Sequence, residues 1–592
     1  MTLSRNRKRW LIFIGSILLL LIILILFANS FLSKKADAML RIELSKMDST
    51  EYVIDFEKVR VNIFSRSVKI FDVSVKPTDA TLENVKSSQL AMPVLDLKLE
   101  QIKVSSVSVM KALRGEEFDI GGISLRKADI SIYGHGELFK KNAHQDGGKS
   151  IFSSDTVVET GIKEARLNSF KLDISRLCYV DLSKGDTLLE TKDLNITVSD
   201  LWLHQPENDT SSHVLEVDDI EIALSSHSME LPGGFYRLET SSLEMSYKDG
   251  EFSLDSLKLI PAYPKGRFSK AFGKQTDRFE VTAGNIFIGG IVFDSLMNKK
   301  LIADEIRLSS PRADICRDKR VARDMSIFPK LFQTSVAQLP IQVYVKSVNA
   351  SKAYVNYQEI VKDSDQAGSV VLDQLVLNIK GMCNYPDSIK NGQALLVEAN
   401  ALLMGKSSFK IYLNLPIGNH AEYFTFHGHA DAFPASNLNS LIQPLAAIEA
   451  TGGSVNSVDF YAMAMNDTTA GRINFKYSDL EVAVLKKKKN EEGLVKENKF
   501  YSFAAQTAIH KNNPSHGKEV RIARMSFVRD PNKGFFNYIW KTLQHGLITT
   551  LTPGKKHLAT DESWPEFKNN WRKTLLNDWK DLQVHDKKKK SK

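Results

Sequence analysis

The chain has 592 residues, 43% hydrophobic and 25% charged, with 79 Lys and Arg against 70 Asp and Glu for a net charge of +9. That length accommodates several domains, and that apolar fraction excludes wholesale disorder. The cationic excess is small, gathers at the two ends and has no nucleic-acid motif beside it, so no nucleic-acid partner is expected. The cysteines, Cys178, Cys316 and Cys383, are too far apart for a disulfide framework or a metal-ligand set.

Residues 1–9 read as a basic cytoplasmic tail carrying Arg5, Arg7, Lys8 and Arg9. Trp10 to Phe27, WLIFIGSILLLLIILILF, is an uncharged run. At about 1.5 Å per residue it spans roughly 27 Å, close to the hydrocarbon thickness of a bilayer. A transmembrane anchor is therefore expected over 10–32, with the N-terminus cytoplasmic and the bulk exported. A cleavable signal peptide, with Ala36-Asp37-Ala38 as its cleavage site, would normally have an apolar core of only about 7–15 residues. The length of the run favours the anchor.

Ser33 to Met47 suits a short helix. Strands follow: YVIDFEKVRVNIF (Tyr52 to Phe64), SVKIFDVSVKP (Ser67 to Pro77) and VLDLKLEQIKVSSVSV (Val94 to Val109). In the last, Leu95, Leu97 and Leu99 alternate with Asp96, Lys98 and Glu100, and Ile102 and Val104 alternate with Lys103 and Ser105. Side chains of a strand point to opposite faces with a period of two, so this strand is apolar on one side and charged on the other. Similar runs lie at 123–133, 194–203, 215–224, 252–260, 301–310, 341–348, 369–381 and 409–415. Before residue 530 the main helical stretch is Ser436 to Ile448, broken by Pro444. The expected fold is mainly β: an elongated, twisted, antiparallel β-groove with an N-terminal transmembrane helix and short C-terminal amphipathic helices.

An internal duplication is visible at an offset of about 183 residues. IKVSSVSVMKAL from Ile102 matches IFIGGIVFDSLM from Ile286, IKEARLNSFKLDI from Ile162 matches VKSVNASKAYVNY from Val345, and the Leu194 segment matches the Leu377 segment. This divides the body into a first repeat over 33–280 and a second over 281–480. Residues 481–592 hold a C-terminal hairpin, amphipathic helices and a basic tail. The hairpin pairs Gly471 to Leu485 with Lys499 to His510, and Lys486 to Lys489 at its tip either touch acidic headgroups or are simply solvated. Gly534 to Leu547 reads as a helix with Phe535 or Phe536, Ile539 or Trp540, and Leu543 on one side, Phe536 and Trp540 being the interfacial candidates. A second helix, Trp564 to Leu582, stripes Trp564, Phe567, Trp571 and Leu575 along one side. These aromatics suit either a membrane interface or a helix capping the end of the sheet.

No catalytic pattern is present: there is no G-x-S-x-G elbow, H-E-x-x-H pair, Walker loop or G-x-G-x-x-G after a strand. His427 and His429, with Asp431 on the same strand face, read as a surface pair rather than a zinc site. No enzymatic activity and no cofactor are expected. The apolar strand faces are either covered by a second sheet or left open as a trough for acyl chains. The lipid-facing candidates are Leu95, Leu97, Leu99, Ile102, Val104, Ile286, Ile288, Leu375 and Leu377.

The segments Tyr52–Pro77 and LKLEQIKVSSVSVMKALRGEEFDIGGISLRKADISIYG, following an anchor, resemble the start of AsmA-like envelope proteins of diderm bacteria. FVRDPNKGFFNYIWKTLQHGL (Phe527 to Leu547) is similar to the C-terminal segment of an uncharacterised branch of that family. The resemblance implies an inner-membrane-anchored periplasmic protein whose chorein-like β-groove moves phospholipid towards, or maintains, the outer membrane. Expected partners are phospholipid or another acyl-chain lipid, the membrane and envelope proteins. This chain is short for a complete periplasmic bridge. The alternative is a membrane-anchored structural or assembly scaffold that binds a protein partner without lipid transport.

Overall fold

The computed structural model describes residues 26–45, 51–87, 93–107, 117–134, 164–204, 214–362, 366–418, 423–487, 494–496, 509–554, 558–559 and 562–590. The structure is mainly β, with 58% strand against 21% helix. Contacts divide the chain into a unit of residues 1–232 with 238–255 and a unit of residues 233–237 with 256–592. Among the described residues no helix is long and apolar enough to cross a membrane. Residues 10–25 of the expected anchor lie outside the described residues, and helix α1 covers 26–45.

The first unit contains β1 (Tyr52–Asp55), β2 (Lys58–Asn62), β3 (Ser67–Pro77), β4 (Val94–Val107), β5 (Glu117–Gly134), β6 (Glu164–Asp181), β7 (Asp186–His204) and β8 (Val214–Glu230), with helix α2 (Asp79–Lys86) after β3. The single strand expected over 52–64 is broken at Phe56 and Glu57. Its first part pairs with the C-terminal half of β3 and its second with the N-terminal half. From β3 the sheet continues through β4, β5, β6, β7 and β8 in sequence order, antiparallel except for the parallel β5–β6 pair.

An exposed edge strand is a liability because its unpaired N–H groups recruit other chains. Here α1 covers the edge formed by β2. The Val59, Val61 and Ile63 N–H groups donate to the side chains of Asp37, Ser33 and Asn29 at 3.0, 2.8 and 2.9 Å. The match is metric: four helical residues rise about 6 Å, and two strand residues advance about 6.6 Å.

After a hairpin of β9 (Tyr236–Ser246) and β10 (Glu251–Pro261), the second unit runs α3 (Lys265–Phe272), β11 (Asp277–Gly289), α4 (Phe293–Met297), β12 (Lys300–Asp318), α5 (Phe332–Ala337), β13 (Gln342–Ile360) and β14 (Gly368–Cys383). It continues through α6 (Pro386–Lys390), β15 (Ala394–Leu403), β16 (Ser407–Pro416), β17 (Phe424–Ala430), β18 (Phe433–Pro434), a 3-10 turn at Ala435–Leu438, α7 (Asn439–Ala446), β19 (Ile448–Ala464) and β20 (Thr468–Lys487). Last come β21 (Leu494–Lys496), β22 (Ile522–Val528), α8 (Phe535–Leu551) and α9 (Trp564–Lys590). Of the C-terminal hairpin expected from sequence, residues 499–508 lie outside the described residues; among the described ones Tyr477 bridges Asn513, and β20 pairs with β22 over Thr468–Asn474.

The two units share an order of strand pairings. In the first unit β4–β5 is antiparallel, β5–β6 parallel and β6–β7 antiparallel. In the second, β11–β12, β12–β13 and β13–β14 repeat that order of pairings. Left-handed residues recur with it: Ser106 at φ 56° matches Gly290 at 68°, and Lys127 at 49° matches Ser310 at 51°. The sequence match of Ile162 to Val345 is out of register with the ladders. Glu117 pairs with Glu164, whereas Lys300 pairs with Gln342, which places β13 five residues earlier than that match requires.

These left-handed residues answer a feature of the pattern. Apolar residues of a flat strand keep one parity, yet β4 steps from Leu99 to Ile102, β5 from Leu125 to Ala128 and β14 from Leu372 to Leu375. A step of three would turn the chain inside out. A residue with positive φ at Lys127 or Gln374 absorbs the extra position as a bulge does. Leu97, Leu99, Ile102, Leu125, Ala128 and Ile130 consequently share one apolar cluster.

Candidate functional site

Register in the first unit stacks apolar residues into rows that run across the strands. One row passes through Ile70, Ile102, Leu125, Leu172, Ile196 and Ile222. Another passes through Val68, Val104, Ile123, Phe170, Val198 and Ile220. A third joins Val73, Leu99, Ala128, Ile174 and Leu194, and a fourth begins Val75, Leu97, Ile130, Leu177. Every side chain of the cluster at their centre comes from the strands themselves.

The degree of burial decides what this face is. In a two-sheet sandwich such rows would be fully excluded from water by a facing layer about 10 Å away. Here all six residues of the Ile102 row are only half-buried, and only Leu99, Ala128 and Ile174 of the central cluster are buried outright. Leu95 is exposed. The opposite face is charged: Lys127 reaches Glu100 at 2.7 Å, and that hydrogen bond holds the Glu100 carboxyl below its ordinary range.

The second unit carries the same rows but fills them. Ile286 stands across from Leu308 and Ile288 from Ile306, then Leu308 beside Ala350 and Ala350 across from Leu377. Ile286, Ile288 and Leu377 are half-buried and Leu375 is buried. Towards β22 the face becomes a sealed core, with Leu395, Phe424, Phe426, Ala462, Ile473 and Met525 at 0–1% exposure. The helix α8 lies over it through Phe535, Tyr538 and Ile539. Gly546 permits that approach, because a Cβ there would meet Ile473 Cγ2 and Met525 Cγ at 2.6 Å.

The two C-terminal helices treat their aromatics differently. On α8, Phe536 is 79% exposed and Trp540 is exposed. On α9, Phe567 is buried, with Trp564 and Trp571 packed beside it against Tyr461, Met463 and Met465. The α9 stripe is thus taken up by the outer face of β19, the capping arrangement. Arg472 of β20, 1% exposed, secures it with Glu562 and Asp578, each at 3.4 Å. Sequence reasoning missed Arg472, which shares the polar parity of β20 with Asn474 and Lys476 and so gave no signal of its burial.

His429 is held between Asp459 at 2.8 Å and Asp431 at 3.0 Å. Burial pulls its pKa down, but the two carboxylates outweigh it and the net shift is upward. His427 instead stacks between Tyr412 and Tyr461, and burial, with Arg572 nearby, lowers its pKa. No group of three or more metal-ligating side chains converges among the described residues. The three cysteines are free and buried.

No protein-family model matches the chain, and no curated protein matches it.

Proposed function

We propose that the chain is a non-enzymatic lipid-handling protein whose first unit carries acyl chains along its apolar face, in a protein anchored in the inner membrane with its bulk in the periplasm. One observation carries the reading: apolar rows six strands wide keep partial exposure, with no layer over them among the described residues. Burying a CH₂ group contributes about 0.8 kcal/mol, so a sixteen-carbon tail gains on the order of 13 kcal/mol by leaving water. Such a face lowers the barrier to moving a lipid through water, and it recognises tails rather than headgroups. The AsmA-like resemblance of the sequence supports the same reading, with phospholipid as the cargo and outer-membrane maintenance as the purpose.

The test uses the full chain in its membrane. Photo-reactive residues at Leu97 and Val104 are expected to form phospholipid adducts, and one at Asp96, on the charged face, is not. Equal labelling at all three positions, or none at the first two, sinks the proposal.

A second reading, a scaffold that binds a protein partner, is favoured by the second unit, where α8 and the strands seal the face towards β22. On that reading the Leu97 and Val104 probes capture protein instead of lipid.

A further inference from the structure

The charged side of the first unit holds a cleft of about 700 Å³ between α1 and strands β2 to β4. We infer that this cleft binds the phosphate of an anionic membrane lipid. Its lining includes Lys34, Lys58, Arg60, Lys69 and Lys103, with Asp37 as the sole carboxylate.

Register makes the charge dense. Arg60 stands directly across from Lys69, and Lys69 directly across from Lys103. Like charges opposite one another on neighbouring strands are destabilising, so three in a row form an arrangement that an anion relieves. The nearby carboxylates are already engaged: Asp37 with Arg41 and Glu57 with Lys58. Among the described residues Lys34, Arg60, Lys69 and Lys103 make no ion pair. Asn29, Ser33, Asn62, Ser65 and Ser67 add neutral hydrogen-bonding groups to the same wall.

Geometry names the source of the anion. The turn from β2 to β3 carries Phe64, 87% exposed, and Ile63, also exposed. The Ile63 N–H donates to Asn29 of α1, and Phe27 and Phe31 are exposed on the same end of that helix. This end of α1 is the direct continuation of the apolar run Trp10 to Phe27. Exposed phenylalanines beside an apolar run, with cations lining the adjoining cleft, fit a bilayer surface where rings enter the acyl boundary and cations meet phosphates.

Full-length protein in a non-ionic detergent is titrated with short-chain phosphatidylglycerol, short-chain phosphatidylcholine and inorganic phosphate. Phosphatidylglycerol is expected to bind more tightly than phosphatidylcholine, whose tails alone the apolar face takes, and inorganic phosphate is expected to bind far more weakly. The triple variant Arg60→Gln, Lys69→Gln, Lys103→Gln is expected to weaken binding on the order of a hundredfold, about fivefold for each cation removed. Lys69→Arg retains it. Thermal unfolding of the triple variant without lipid is expected to be no lower than wild type, since mutual repulsion is removed. Wild-type affinity in a folded triple variant overturns the inference. Phosphatidylcholine binding as tightly as phosphatidylglycerol does the same, and equal binding of inorganic phosphate reassigns the cleft to a free anion. Leu125→Gln, on the opposite face, is expected to leave this binding unchanged, so failure here is separable from failure of the acyl-chain proposal.

Discussion

Leu99 of β4 stands directly across from Ala128 of β5, and the residue before Ala128, Lys127, sits at φ 49° in the middle of the strand. The left-handed region costs an L residue roughly 1–2 kcal/mol, and a β-branched residue more. Valine is ordinarily the better strand former and glycine the worse. At this position the order should invert: Lys127→Val is expected to be less stable than Lys127→Gly by about 2 kcal/mol in urea denaturation. Ser310, the corresponding residue of the second unit, should show the same inversion. A more stable valine variant at both sites would remove the bulge from the argument.

That residue also marks how far the fold could be read in advance. The strands, their apolar side and the duplication are written in alternation, which is local and survives without knowledge of contacts. The steps from Leu99 to Ile102 and from Leu125 to Ala128 were equally visible, and they announce a bulge because no flat strand keeps both residues on one face. What alternation cannot give is the partner. The parallel β5–β6 pair joins strands across residues 135–163, and the offset of β13 depends on the length of the α5 connection rather than on any repeated residue. Open and covered faces are likewise indistinguishable in sequence: Leu125 and Leu413 both occupy ordinary strand positions, yet only the second lies against the core under α8.

Gly546 shows two effects in opposition. Within a helix, Gly→Ala ordinarily stabilises by about 1 kcal/mol through propensity alone. Here the added methyl meets Ile473 and Met525 at 2.6 Å, inside a core of fully buried residues. Overpacking costs about 1–3 kcal/mol and should win. Gly546→Ala is expected to lower the urea midpoint without changing the slope, and a raised midpoint would show that α8 has room to move away.

His429 gives a sign for the pH dependence. Its pKa in the folded chain is raised, after the opposing effect of burial, by Asp459 and Asp431. A raised folded pKa means that the folded state holds the proton more tightly than the unfolded one. The stabilisation is therefore complete below the ordinary histidine value of about 6.5 and is lost as pH rises through the folded value. Wild type should exceed His429→Gln in stability by more at pH 5.5 than at pH 8.5, with urea midpoints as the measure. A gap that grows towards alkaline pH would contradict the assignment. The side chain is partly exposed, so the effect should also shrink in high salt.

Arg472 is buried at 1% exposure, while its partners Glu562 and Asp578 keep some contact with water. This asymmetry predicts which side of the cluster matters more. Removing both carboxylates takes two charged partners from a guanidinium held in the protein interior, against the ring of Phe567 at 4.9 Å, and breaking a buried ion pair costs about 3–5 kcal/mol. Replacing Arg472 with methionine leaves two carboxylates that water can reach, with Arg524 still 4.0 Å from Asp578. The double variant Glu562→Gln, Asp578→Asn is therefore expected to release α9 and lower stability more than Arg472→Met does. Protease sensitivity of the α9 segment and the urea midpoint should move together in that order. If Arg472→Met proved the more damaging change, the cation would be holding β20 itself rather than tethering the helix.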